Sequence, residues 1–252
     1  MLNIIIPMGG VSSLSSELDY SYPSPLIEIT GRPLIEHVIE NLGVLGSDLK
    51  FTVILRDDDC RRFHLDNTVQ LLTNHRANAI RLKAETAGAL CSVLLAIEQF
   101  ATLKPMLIAN SDQVFDADVL RAIMSEIDMS NPDAACPVFD SVHPRWSYVR
   151  IQDGTIIEAA EKNPISRHAV AGFYYFRNGQ QFAELAMRAI MNGRHTAGNY
   201  YTSAVINEYI LAGLQVHPIR ISNDHYHSLF TAQRVGDYER YLRAGKRMSA
   251  NY

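Results

Sequence analysis

The sequence predicts an α/β fold, a mixed sheet flanked by helices, and three observations carry that expectation. Short, continuous runs rich in apolar and β-branched residues at 3–6, 51–55 and 106–109 have the length and composition of strands buried on both faces, as in parallel sheets. Segments with apolar residues at helical spacing alternate with these runs. In the second half, strand-like runs follow one another without long helices between them. That predicts a small antiparallel extension at about 134–176, within one domain spanning 1–252.

The elements follow in order. Residues 3–6 read as a buried strand ended by Pro7, with Met8-Gly9-Gly10 as a glycine loop. Gly31-Arg32-Pro33 introduces a helix through Leu34, Ile35, Val38, Ile39 and Leu42; Pro33 suits its first turn and Gly43 its stop. A second strand at 51–55 and a third at 79–82 continue the β-loop-α-β order. Leu90, Val93, Leu94, Ile97 and Phe100 predict one amphipathic helix over 87–100. The strand at 106–109 ends at Asn110-Ser111-Asp112-Gln113, and a helix follows at 119–127. Strands at 134–138, 148–151, 155–160 and 170–176, with a turn at Asp153-Gly154, make the extension. Helices at 180–192, 200–212 and 232–246 close the chain, with a strand near 215–221. In doubly wound sheets ligands bind beyond the carboxyl ends of the strands, which directs attention to loops 7–14 and 110–116.

Composition narrows the function. With 252 residues and a net charge of −4, the chain offers no basic footprint, so a dedicated nucleic-acid binder is excluded while nucleotides stay open. Three scattered cysteines without a CxxC pair suggest neither a zinc cage nor a secretory disulfide framework, and fit a reduced, cytoplasmic setting. No run approaches the roughly 20 apolar residues of a membrane span. No G-x-S-x-G elbow, P-loop or dinucleotide fingerprint is present.

Asp112 stands just past a buried strand, where a carboxylate can hold a hard divalent cation. Asp116 and Asp118 suit a metal or the cap of the following helix equally. The glycines of Pro7-Met8-Gly9-Gly10-Val11-Ser12-Ser13 let backbone N–H groups approach phosphate, and an isolated Gly-Gly also serves as a plain turn. Lys162, one of five lysines, reads either as a functional cation or as a solvated surface residue. His225 and His227 alternate as metal ligands on a strand would, or are ordinary polar residues.

In order along the chain, several segments resemble the sugar-phosphate nucleotidyltransferase superfamily, which has a Rossmann-like, GT-A-type fold. They are Ile4-Ile5-Ile6-Pro7-Met8-Gly9-Gly10 with Ser12-Ser13, Tyr22-Pro23-Ser24-Pro25-Leu26, Gly31-Arg32-Pro33-Leu34, Glu85-Thr86-Ala87-Gly88, Asn110-Ser111-Asp112-Gln113, Glu161-Lys162-Asn163-Pro164, Gly172-Phe173-Tyr174, and Asn199-Tyr200-Tyr201. Within it, the chain is most similar to the subgroup encoded in capsule and surface-polysaccharide clusters. The resemblance implies transfer of a nucleotidyl group from an NTP to a phosphorylated sugar or related acceptor. It assigns Pro7, Met8, Gly9, Gly10, Ser12, Ser13, Thr86, Gly88 and Asn110 to the nucleotide, with Gly88 letting the base lie against backbone. Glu161, Lys162, Gly172 and Asn199 fall to the acceptor. Asp112 would hold Mg²⁺ or Mn²⁺, with Asp224 as a second ligand, and Asp112 and Lys162 would be the catalytic pair.

The family's loop usually carries an arginine and a lysine where this chain has Leu14 and Ser24, so the triphosphate loop is partly degenerate. Arg32, Arg56 and Arg61 are stand-in cations to look for. Three functions meet these expectations: a Mg²⁺-dependent nucleotidyltransferase, a GT-A glycosyltransferase-like enzyme using a nucleotide sugar, and a degenerate nucleotide- or sugar-phosphate-binding regulator. The aromatic cluster Phe173-Tyr174-Tyr175-Phe176 suits a homodimer surface as readily as a core.

Overall fold

A computed structural model describes residues 1–10, 14–18 and 20–249. The first half contains β1 (Leu2–Met8), α1 (Leu14–Glu17), β2 (Glu28–Ile29), β3 (Arg32–Pro33), α2 (Leu34–Gly43), β4 (Leu49–Arg56), α3 (Asp57–Phe63), α4 (Leu65–Leu72), β5 (Asn78–Leu82), α5 (Ala89–Leu94), α6 (Ile97–Phe100), β6 (Met106–Ala109), β7 (Gln113–Phe115) and α7 (Ala117–Ser130). The second half contains β8 (Ala134–Asp140), β9 (Ser147–Gln152), β10 (Thr155–Glu161), β11 (His168–Val170), β12 (Phe173–Phe176), α8 (Gly179–Met191), α9 (Ser203–Leu211), β13 (Val216–Arg220), β14 (Tyr226–Ser228) and α10 (Ala232–Ser249).

Ten strands form one mixed sheet in the order β10-β9-β11-β8-β12-β6-β1-β4-β5, with β13 added beside β8. β6, β1, β4 and β5 are parallel; β12 enters antiparallel to β6 and begins the extension, which therefore continues the same sheet. Alternation along β1 divides the core: Ile4 and Ile6 face α2 residues such as Ile35 and Val38, while Ile5 faces Leu90, Val93 and Phe100. Asp153 and Gly154, both at positive φ, close the β9–β10 hairpin, the backbone a tight two-residue hairpin turn requires. Phe173, Tyr174, Tyr175 and Phe176 are all buried inside the chain, so this cluster is core.

Four local expectations are corrected. Pro7 does not end its strand: β1 runs to Met8 and pairs with β4 through Met8↔Leu55. Its pairing with β6 stops at Ile5↔Ile108, so the edge on which a proline lacks a donor is already unpaired there. The helix over 87–100 is two helices, because Leu95 and Ala96 donate to residues three back, tightening the turn and leaving Leu95 exposed. The run at 170–176 is broken between β11 and β12 at Gly172, whose φ of +62° turns the chain. Residues 113–115, read as loop, pair with β14 as a short ribbon, Gln113↔Ser228 to Phe115↔Tyr226.

Candidate functional site

Two clefts open at the carboxyl ends of β1 and β6. The first has a volume of about 500 Å³ and is floored by Pro7, Met8 and Gly10, with Ser24 on one wall and Arg56 and Arg62 on another. The second, about 270 Å³, lies between β6 and the extension and is lined by Arg145, Glu161, Lys162 and Gly172. Ala89, Asn110 and Asp112 line both, so the segment after β6 and the start of α5 form the shared wall.

That segment is held from two sides. Asn110 N–H and Gln113 Nε2 donate to the Gly172 carbonyl at 3.0 and 2.7 Å. Leu229 N–H donates to the Asp112 carbonyl at 2.7 Å. A Cβ on Gly172 would sit 2.3 Å from Asn110 Nδ2 and 2.4 Å from Gln113 Oε1, so glycine there serves this close packing as well as the turn. Burial pushes the Asp112 carboxyl above its ordinary range, and the nearby Arg145 guanidinium partly counters it.

In the second cleft, Lys162 has a left-handed backbone (φ +55°), and its Nζ donates to Tyr201 OH at 2.8 Å. Glu161 Oε2 accepts from Ser147 Oγ and Ser203 Oγ at 2.5 and 2.7 Å, which orders the carboxylate beside the lysine. Neither hydroxyl neutralises it.

Of the residues singled out in the sequence, Pro7, Met8, Gly10, Asn110 and Asp112 meet in the first cleft, and Glu161, Lys162 and Gly172 join Asn110 and Asp112 in the second. Ser12 and Ser13 lie outside the described residues. Gly9 points away from the cleft, its Cβ position facing Leu82 Cδ1 at 2.4 Å. Thr86 Oγ1 is tied to Ser92 Oγ (2.6 Å) and donates to the Gly88 carbonyl. At Gly88 a Cβ would fall 2.4 Å from the Tyr200 carbonyl oxygen, so on that side the glycine admits another strand of backbone. Asn199 closes an exposed turn with Thr196, and Asp224 is exposed in a 3-10 turn; neither lines the two clefts.

The stand-in cations divide. Arg56 reaches the first cleft; Arg61 pairs with Asp57 at 2.7 Å, and Arg32 pairs with Glu36 and Glu40 outside both clefts. Leu14 is 1% exposed, packed into the core at the edge of the first cleft, which Ser24 also lines with its Oγ 3.3 Å from Ser15 Oγ. Asp116 holds the N-cap position of α7 without capping it. Its carboxylate instead meets His225 Nδ1 (2.7 Å), His227 Nε2 (3.0 Å) and Tyr241 OH (2.7 Å). The two histidines thus share a carboxylate through hydrogen bonds, and among the described residues no group of three His, Cys, Asp or Glu side chains is arranged to hold a metal ion. Sequence reasoning missed Arg62 and Arg145. The only signal for Arg145 was its place beside the single tryptophan in a loop between two strands.

Solved structures with the same fold include the nucleoside-diphosphate-sugar pyrophosphorylase from Vibrio cholerae RC9 (22% identity, TM-score 0.76, covering 95% of this chain and 100% of that one). The inositol-1-phosphate CTP transferase from T. maritima (14%, 0.73, 92% and 90%) and a UDP-glucose pyrophosphorylase complexed with UDP-glucose (11%, 0.76, 97% and 99%) are also similar. At these identities the likeness concerns the fold. No curated protein matches the chain. The description MobA-like NTP transferase domain matches residues 4–243, nearly the whole length, and the chain belongs to that family.

Proposed function

We propose that the protein transfers a nucleotidyl group from an NTP to a phosphorylated sugar or related small acceptor, in precursor synthesis for capsule or surface polysaccharide. The observation that carries this reading is the pair of clefts meeting at Asn110 and Asp112. Two substrates placed one in each cleft bring an acceptor phosphate oxygen toward an α-phosphorus. The new P–O bond forms as the bond to the β-phosphate breaks, and pyrophosphate leaves. Such a reaction needs positioning and charge neutralisation, and no covalent nucleophile.

The donor set fits a metal carried in by the nucleotide. Mg²⁺ is commonly held by one or two carboxylates together with substrate phosphates, and Asp112 is the carboxylate common to both clefts. Asp112 would hold Mg²⁺ or Mn²⁺, which supplies neutralisation of the phosphates when bound. Lys162, fixed by Tyr201, would orient the acceptor phosphate, and Gly10, with no described residue within 4 Å of its Cβ position, would let phosphate approach backbone.

The test is pyrophosphate release from each NTP with Mg²⁺ and a panel of sugar phosphates. Release that vanishes in Asp112→Ala supports the reading. If instead UDP-, GDP- or CDP-sugars are consumed and no NTP is, the glycosyltransferase reading replaces it. Ligand binding by calorimetry without any turnover leaves a binding regulator.

A further inference from the structure

Arg145 lies in the loop between β8 and β9 and lines the second cleft. Its guanidinium is stacked over the Phe230 ring and sits 4.8 Å from the Trp146 ring centroid. Trp146 is itself packed edge-on against Phe139 and Phe230, so the platform beneath the arginine is rigid. The loop is pinned by Arg145 N–H donating to His143 Nδ1 and by Tyr148 OH donating to the His143 carbonyl.

Among the described residues the guanidinium has no hydrogen-bond partner. Its Nε is buried and unpartnered, and no described residue accepts a hydrogen bond from its side chain. The charges around it are Asp112, which faces it without closing an ion pair, the Tyr226 phenol, and the like charge of Arg234. Burial costs this cation stability, and stacking on aromatic faces returns only part of it. A planar set of donors left unused, beside an aspartate and in the same cleft as Lys162, matches a tetrahedral oxyanion that can accept two parallel hydrogen bonds.

We propose that Arg145 is a phosphate-binding residue of the second cleft, gripping the acceptor's phosphate between itself and Lys162 at the Asp112 wall. The proposal rests on the reading of this cleft as the acceptor site. It places on the β8–β9 loop a cation that the glycine loop does not provide.

The experiment is an NMR titration of the purified protein with inorganic phosphate, following arginine Nε–Hε resonances. The Arg145 signal is assigned by its loss in Arg145→Lys. Arg145→Met keeps an unbranched apolar side chain beside Phe230 and removes the charge. A saturable shift of the Arg145 resonance is expected. Arg145→Met should weaken phosphate binding roughly tenfold, the worth of a charged hydrogen bond, with Arg145→Lys in between. A thermal melt without phosphate checks that each variant is folded; should Arg145→Met not fold, the wild-type resonance decides. The proposal is overturned if that resonance stays still at saturating phosphate, if no phosphate binds, or if Arg56→Met and not Arg145→Met abolishes binding. A moving Arg145 signal with no pyrophosphate release from any NTP would sink the transferase reading and leave the phosphate site standing.

Discussion

Replacing Gly88 with alanine separates two explanations of the same glycine, a nucleobase resting on its backbone or another stretch of chain pressed against it. The added Cβ would lie 2.4 Å from the Tyr200 oxygen, 2.7 Å from its nitrogen and 3.0 Å from its carbonyl carbon. These are backbone atoms, and they are held: Tyr200 N–H donates to Ala87 at 2.8 Å, and Leu90 N–H donates to Tyr200 at 3.1 Å. The φ of +104° adds strain for any residue with a Cβ. A positive φ costs about 1–2 kcal/mol, and losing one or both hydrogen bonds costs about 1–2 more. The variant should lose about 2–4 kcal/mol, a fall in Tm of roughly 4–16 °C for a chain of this size.

Thermal and urea unfolding followed by circular dichroism measure this directly, with Gly10→Ala as the control. No described residue comes within 4 Å of the Cβ position of Gly10, so that variant should stay within about 0.5 kcal/mol of wild type. Because Tyr201 follows Tyr200 and fixes Lys162, Gly88→Ala should also raise the KM of the acceptor. A Gly88→Ala protein that melts with wild type and has a raised KM for the NTP alone would refute the backbone-contact argument and return Gly88 to the base.

The other predictions concern charge. Leu14→Arg should destabilise the protein by about 1.5–3 kcal/mol, because it removes a buried leucine, whereas Ser24→Lys should keep the Tm and tighten NTP binding in calorimetry. Burial opposes ionisation of Asp116, yet hydrogen bonds from Tyr241, His225 and His227 outweigh it and hold the carboxyl below its free value of 3.8. Its contribution is therefore complete above that value and is lost as pH falls through the folded one. Asp116→Asn should flatten the decline of urea stability with pH below about 4; an unchanged acid limb would contradict the assignment. Asp112→Asn should cut turnover by about 10²–10³ and abolish the gain in NTP affinity that Mg²⁺ brings, with the Tm preserved. NTP binding equally tight with EDTA and with Mg²⁺ would argue against a metal at Asp112.

The central strands were legible because β1, β4 and β6 are buried on both faces, so apolar residues dominate them and only Asn3 and Thr52 are polar among their buried positions. α3 carries no such stripe: Cys60 is its one buried side chain. Its signals are three aspartates in the first turn and two arginines in the last, the arrangement a helix dipole favours. Periodicity alone passes over it, and Arg62 with it. The ordered motifs point to Asp112, three residues past β6, and Lys162, directly after β10, and both line a cleft. The partners that give them a setting come from distant loops. Arg145, the Gly88–Tyr200 contact and the grip of His225 and His227 on Asp116 all join residues far apart in sequence, and no local pattern records such pairs.

The charge distribution of the two clefts constrains how a triphosphate could enter. Among the described residues lining the first cleft, Arg56 and Arg62 stand against Asp58, Asp59 and Asp112, and Arg62 is already 3.5 Å from Asp58. Burial further opposes ionisation of Asp59 and Asp112, the sign expected of carboxylates that gain from a cation arriving beside them. A bare triphosphate would meet a wall with no positive excess, while a nucleotide carrying a divalent cation would bring the missing charge to the carboxylate both clefts share. In the second cleft the balance differs, because Arg145 and Lys162 offset Asp112 and Glu161 before any metal binds. On the proposed reading, an acceptor phosphate would meet two cations that balance the two carboxylates there, and a divalent cation would be needed chiefly beside the nucleotide.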